Sequence, residues 1–189
     1  MRVLGLGGSK ATDSQVKHLS SLLENPSCKL EILDLTNCSI GEEGFTALAS
    51  ALRSNPSHMR KLWLKGSKAT DSGVKHLSSL LEDPSCKLEI LELAGCKLTE
   101  KSCELVASVL LSPNSLIELD LSENNLGYSG VQLLSKGLSN PLCRLQTLRL
   151  TGCKLTEKSC EHVASVLQSP NSLMELDLKD NELTDSGAL

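Results

Sequence analysis

Apolar positions in this chain come in short, tight clusters that return about every 29 residues. The pattern L-x-x-L-x-L-x-x-(C/N/S)-x-(L/I/A) starts at positions 1, 30, 59, 88, 116, 145 and 173, so successive copies are 29, 29, 29, 28, 29 and 28 residues apart. Its fullest copies are Leu88-x-x-Leu91-x-Leu93-x-x-Cys96-x-Leu98 and Leu116-x-x-Leu119-x-Leu121-x-x-Asn124-x-Leu126. Longer identities overlie this period. Residues 9–35 and 67–93 differ only at Gln15/Gly73, Asn25/Asp83 and Asp34/Glu92, and residues 95–124 and 152–181 differ at five positions. Self-similarity at such a period is the mark of a stacked-repeat architecture.

Each copy predicts the same elements. Leucines at alternate positions make a short strand with those side chains on one face. The ninth position then turns the chain, its Asn or Cys side chain bonding to backbone groups of neighbouring turns. A helix follows. Thr12-Asp13-Ser14-Gln15 fits a capping box, and Asp71, Glu100, Glu157 and Asp185 stand near positive helix ends. Apolar residues continue at helical spacing, as in Val74, Leu77, Leu80 and Leu81, or Val131, Leu134 and Leu138. All six prolines (26, 56, 84, 113, 141 and 170) occupy the slot just after the helix.

One strand and one helix per copy imply an α/β solenoid, a single leucine-rich-repeat array over 1–189. It is read as a right-handed horseshoe with a parallel sheet on its concave face and helices on its convex face.

Composition narrows the function classes. Apolar residues make up 40% of the 189 positions while aromatics make up only 2%, so leucine fills a thin, repeated core. The net charge of -4 gives no electrostatic footprint for nucleic acid or an anionic membrane surface. No apolar run approaches the roughly 18 residues of a membrane span, and Met1 to Leu6 lacks the long apolar segment of a secretory signal.

The alternation Cys96, Asn124, Cys153, Asn181 in the ninth slot, with 28- and 29-residue copies interleaved, resembles the ribonuclease-inhibitor type of leucine-rich repeat. The stretch LELAGCKLTEKSCELVASVLLSPNSLIELDLSENNLGYSG is similar to the C-terminal repeats of NOD-like receptors, in particular the NLRC3-like sets of fish. Gly8-Ser9 and Ala11 depart from that type, and Ser67 and Ala69 repeat the departure. The resemblance implies a ligand-sensing or autoinhibitory repeat region of a cytosolic innate-immune receptor whose nucleotide-binding domain would lie upstream. Two other repeat proteins offer alternatives: a stand-alone enzyme inhibitor like ribonuclease inhibitor, and a GTPase-activating scaffold.

Eight cysteines raise the question of disulfides or zinc. They fall into three repeat slots. Cys28, Cys86 and Cys143 stand two residues before the first leucine slot, Cys38, Cys96 and Cys153 in the ninth slot, and Cys103 and Cys160 in a buried helix slot. Slots at opposite strand ends, or in alternate copies, exceed the ~7 Å Cα limit for a bridge. Free structural thiols are therefore expected, which favours a reducing compartment, the cytosol. Gly5-Leu-Gly-Gly-Ser-Lys10 does not match the phosphate-loop pattern, and Lys65-Gly66-Ser67-Lys68 marks it as a repeat turn. No cofactor is implied. His18, His76 and His162 share one outward helix slot where solvated rings are expected. No catalytic or metal-ligating constellation stands out.

Binding is the usual work of a concave solenoid surface. The third, fifth and seventh positions of each copy are expected to face solvent there. The fifth-position column reads Gly5, Asp34, Trp63, Glu92, Asp120, Arg149, Asp177, and Trp63 is flanked by Lys61 and Lys65. Tryptophan and arginine are over-represented in hot spots, so a protein partner is expected on this column. Tenth-position lysines (Lys10, Lys68, Lys97, Lys154) form a basic rim. Neither end shows a capping segment; a fragment of a longer protein is expected, with frayed ends and homo-association through exposed apolar edges.

Overall fold

The computed structural model describes residues 1–183; Asp185 and the seventh helical segment expected before Leu189 lie outside the described residues. Seven three-residue strands alternate with helices: β1 (Val3–Gly5), α1 (Asp13–Leu23), β2 (Ile32–Asp34), α2 (Glu42–Ser54), β3 (Lys61–Trp63), α3 (Thr70–Leu81) and β4 (Ile90–Glu92). Then come α4 (Glu100–Leu111), β5 (Glu118–Asp120), α5 (Gly127–Leu138), β6 (Thr147–Arg149), a single 3-10 turn Glu157–Ser159 leading into α6 (Cys160–Gln168), and β7 (Glu175–Asp177). The strands form one open parallel sheet in chain order. Helices pack at about 8–10 Å and strands at about 4.8 Å, so the helical layer takes the longer arc and the sheet the inner, concave one.

The register is uniform. Leu4, Leu33, Leu62, Leu91, Leu119, Leu148 and Leu176 pair in one row across the sheet. The inner five of these are buried, as are Leu35, Leu64, Leu93, Leu121 and Leu150 two residues on. Facing them across the core, Val16, Phe45, Val74, Cys103, Val131 and Cys160 share one buried helix slot. Each fully buried leucine contributes roughly 1.5–3 kcal/mol, and the sum runs along the solenoid as one continuous core.

Where the ninth position holds Asn or Cys, its side chain ties the repeat to the one before. Asn124, 4% exposed, accepts from the amides of Cys96 and Leu98, both at 3.0 Å, and donates to the carbonyls of Leu93, Leu121 and Ser122 at 2.9–3.1 Å. Asn181 repeats this on Cys153, Leu155, Leu150, Leu178 and Lys179. Where cysteine holds the slot, its thiol donates to a carbonyl of the preceding repeat: Cys38 to Leu6, Cys96 to Leu64 and Cys153 to Leu121, each at 3.2 Å. All eight cysteines are free. Burial pushes the Cys103 thiol up to about 12 and that of Cys153 to about 11.

The eighth position turns left-handed in every copy. Gly8, Asn37, Gly66, Gly95, Glu123, Gly152 and Asp180 have φ between 55° and 73°, a region that glycine, Asn and Asp enter at least cost. At Gly66 the constraint is double, since a Cβ there would lie 2.2 Å from Asn37 Oδ1.

The capping box at Thr12 forms, the Thr12 amide donating to Gln15 Oε1 at 3.0 Å. First-turn carboxylates also reach forward one repeat. Asp13 accepts from the amide of Gly41 at 2.6 Å, and Asp71 from the amide and hydroxyl of Thr99 and the hydroxyl of Ser102.

Two expectations are corrected. The seventh position does not always face solvent: Ala94 and Ser122 are buried, 2% and 7% exposed, because their side chains are too short to clear the adjoining turns. The histidine slot is not uniformly solvated either. His18 is exposed and His76 half-buried, while His162 packs against Tyr128 with ring centroids 5.1 Å apart. His162 Nε2 is buried without a hydrogen bond and lies 3.5 Å from Glu161 Oε1. The slot holds Leu105 and Leu133 in the two preceding copies, both half-buried, so His162 fills apolar space.

Candidate functional site

Alternation along each strand decides which side chains leave the core. The middle residue points inward as a buried leucine, so the residues on either side face the open surface of the sheet. Gly5, Asp34, Trp63, Glu92, Asp120, Arg149 and Asp177 are direct neighbours across β1 to β7. Except for exposed Gly5, all are half-buried.

The middle of the row is a depression of ≈ 120 Å³, lined by Trp63, Ile90, Leu91, Glu92, Glu118, Asp120 and Arg149. Arg149 is engaged on both sides. Its Nη1 bonds to Glu118 and its Nε lies 3.6 Å from Glu175, which straps β5, β6 and β7 together. Burial raises the Glu92 carboxyl above its ordinary range, and the charges of Asp120 and Asp34 add to this against Lys65 and Arg149. Lys61 and Lys65 flank Trp63, both half-buried.

The acidic column divides by structural role. Asp34, Asp120 and Asp177 each accept from a backbone amide two residues on, those of Thr36, Ser122 and Lys179, at 2.9–3.0 Å. They brace the exit of their strands. The Lys179 amide bond holds the Asp177 carboxyl below its usual range. The Glu92 carboxylate, one methylene longer, makes no hydrogen bond among the described residues.

The tenth-position lysines lie apart from this row. Lys97 and Lys154 border a second hollow at the edge of the sheet, together with Gly95, Glu123 and Gly152. Among the described residues no group of three or more His, Cys, Asp or Glu could hold a metal ion, and no helix is long and apolar enough to cross a membrane.

Sequence reasoning missed the inter-repeat caps at Asp13 and Asp71, the Tyr128–His162 pair and the left-handed eighth position. Only the last had a clear signal, a column rich in Gly, Asn and Asp.

An open parallel sheet, one strand and one helix per repeat, and a ladder of Asn, Cys or Ser at the turns define the class: a leucine-rich-repeat solenoid. A leucine-rich-repeat family model matches residues 27–49, 112–135 and 169–189. The chain is 47% identical over 87% of its length to mouse (Mus musculus) NACHT, LRR and PYD domains-containing protein 12, of which that match spans 16%. It is 44% identical over 87% of its length to the ribonuclease inhibitor of Sus scrofa, spanning 36% of it, and 40% identical over 100% to that of Mus musculus, spanning 41%. The chain thus spans less than half the length of these relatives. A chain in the crystal structure of a TLR13–ssRNA13 complex aligns over 81% of this one and 19% of its own length, at 22% identity and a TM-score of 0.46, a likeness too loose to bear on function.

Proposed function

We propose that this chain is a non-catalytic protein-binding module, the repeat region of a cytosolic NOD-like receptor that senses a ligand or restrains the receptor, and that its partner seats on the concave face of the sheet. One observation carries the reading: Trp63, Glu92, Asp120 and Arg149 stand side by side in register around an uncovered depression. The identity to a NACHT, LRR and PYD protein over most of the chain supports the receptor assignment. Lys61, Lys65, Asp34 and Asp177 complete the contact surface, with Lys61 and Lys65 beside the tryptophan and the two aspartates along the row. The 44% identity to a ribonuclease inhibitor favours a second reading, in which the same face covers an enzyme.

Partner capture from cytosol, compared between the native chain and Trp63→Ala, tests the proposal. A true anchor loses at least about 2 kcal/mol of affinity with unchanged thermal unfolding. Unchanged capture removes Trp63 as an anchor, and turnover of a partner nucleotide by the bare chain would overturn the non-catalytic reading.

A further inference from the structure

We propose that the depression beside Trp63 is a socket for one arginine side chain of a protein partner, its guanidinium lying against the indole and forking to Glu92 and Asp120. The inference deepens the concave-face reading and rests on it.

The spacing suits the group. Trp63, Glu92 and Asp120 are successive neighbours in the sheet, so the Cα atoms of Trp63 and Asp120 stand about two strand spacings, roughly 10 Å, apart with Glu92 between them. A planar cation stacked on the indole, within about 6 Å of its centroid, comes within reach of both carboxylates. The ≈ 120 Å³ of the depression takes the end of one side chain and no secondary-structure element.

The lining carboxylates outnumber the cations beside them, Arg149 in the lining and Lys65 acting on Glu92. Glu92, Glu118 and Asp120 line the depression with Arg149, and Arg149 is already divided between Glu118 and Glu175. Asp120 commits Oδ1 to the Ser122 amide, and the Glu92 carboxylate makes no hydrogen bond among the described residues. The negative lining disfavours phosphates and acidic peptides. Arginine fits better than lysine because its guanidinium stacks on aromatic faces, donates two parallel bonds and is less strongly hydrated.

The chain's one tryptophan makes its fluorescence a reporter of this socket alone. The full chain is titrated with a blocked Gly-Arg-Gly tripeptide, its lysine form and its citrulline form, which keeps the shape without the charge. The arginine peptide is expected to shift the emission saturably, with lysine at least threefold weaker and citrulline at least fivefold weaker. Glu92→Gln and Asp120→Asn should each weaken the arginine peptide at least threefold, while Lys154→Gln, outside the depression, leaves it unchanged.

Affinity should also fall as pH drops through the raised Glu92 titration, where Asp34, Lys65, Asp120 and Arg149 surround that carboxyl. Equal responses to arginine and citrulline, or indifference to Glu92→Gln, overturn the socket. Partner capture that fails in Trp63→Ala yet ignores Glu92→Gln and Asp120→Asn overturns the socket alone. Capture that ignores Trp63→Ala overturns the concave-face reading with it.

Discussion

The carboxylate of Asp71, in the first turn of α3, caps the start of α4 one repeat away: Oδ1 accepts from the Thr99 amide at 3.0 Å and Oδ2 from the Thr99 hydroxyl at 2.7 Å. Burial pushes this carboxyl up, but the bonds from Ser102 and Thr99 outweigh it and hold it below its ordinary 3.8. A depressed acid contributes stability that is present above its unfolded value and lost as pH falls through its folded value. Asp71→Asn should therefore cost about 1–2 kcal/mol at neutral pH, and the gap should close below pH 3.8. Urea unfolding at stepped pH measures it; a gap that persists in acid would assign the cost to packing instead.

Asn124 makes five hydrogen bonds with backbone groups of two repeats. Asn124→Ala strands buried amides and carbonyls at about 1–3 kcal/mol per group before relaxation, so a net loss near 3 kcal/mol is expected. Asn124→Cys should recover part of it, because cysteine holds this slot in three other copies and reaches a carbonyl of the preceding repeat. Chemical denaturation of the pair checks the order.

Thr70 adopts φ 57° at the entry to α3, a left-handed conformation that β-branched residues resist. Gly127 holds the same position of the fifth copy at φ 60° without penalty. Thr70→Gly should raise stability by about 1 kcal/mol, the relief of strain exceeding the added chain entropy. Its amide bond to the Cys96 carbonyl, 3.0 Å, is retained. A lower midpoint in calorimetry would refute the strain argument.

Glu92 behaves in the opposite sense to Asp71. Its raised carboxyl destabilises the fold when ionised, and the penalty is relieved as pH falls through the folded titration. Glu92→Gln should stabilise the chain at neutral pH by less than ~1 kcal/mol, given solvent screening of a half-exposed group. The gain should vanish in acid. Paired melts at neutral and acid pH decide it.

Seven of the eight cysteines are buried, and Cys28 alone is half-buried. The thiolate is the reactive species, and burial holds Cys103 near 12 and Cys153 near 11. Brief alkylation of the folded chain should label Cys28 first and the others only on unfolding, read by peptide mass spectrometry. Early labelling of Cys103 would show that α4 opens locally.

The sequence carried the repeat far better than the site. Leucine spacing, the Asn/Cys ladder and the proline slot each follow from backbone needs that recur from copy to copy, so a chance match at one copy is corrected by the others. Side chains that deviate from the repeat have no such support. His162 occupies the slot of His18 and His76, yet its ring packs against Tyr128 of the preceding helix. Asp34 and Asp120 look like free surface charge until the amides two residues on claim them. Ala94 and Ser122 share a face with Lys65 but not its length. Trp63 and its neighbours in the row could be aligned from register alone, whereas the strap from Arg149 to Glu118 and Glu175 needed rotamers.

The uniform register has a consequence for how this surface can change. None of the eight differences between the two pairs of internal duplicates touches the first, fourth, sixth or ninth position of a copy. They fall on helices, turns and the positions flanking the strand leucines, and among them Asp34/Glu92 extends an acid by one methylene at an otherwise identical place. Scaffold and message occupy separate columns. Duplicating a repeat therefore advances the whole row of display positions by one strand spacing, about 4.8 Å, and later substitutions can rewrite a single character without disturbing the frame that holds it.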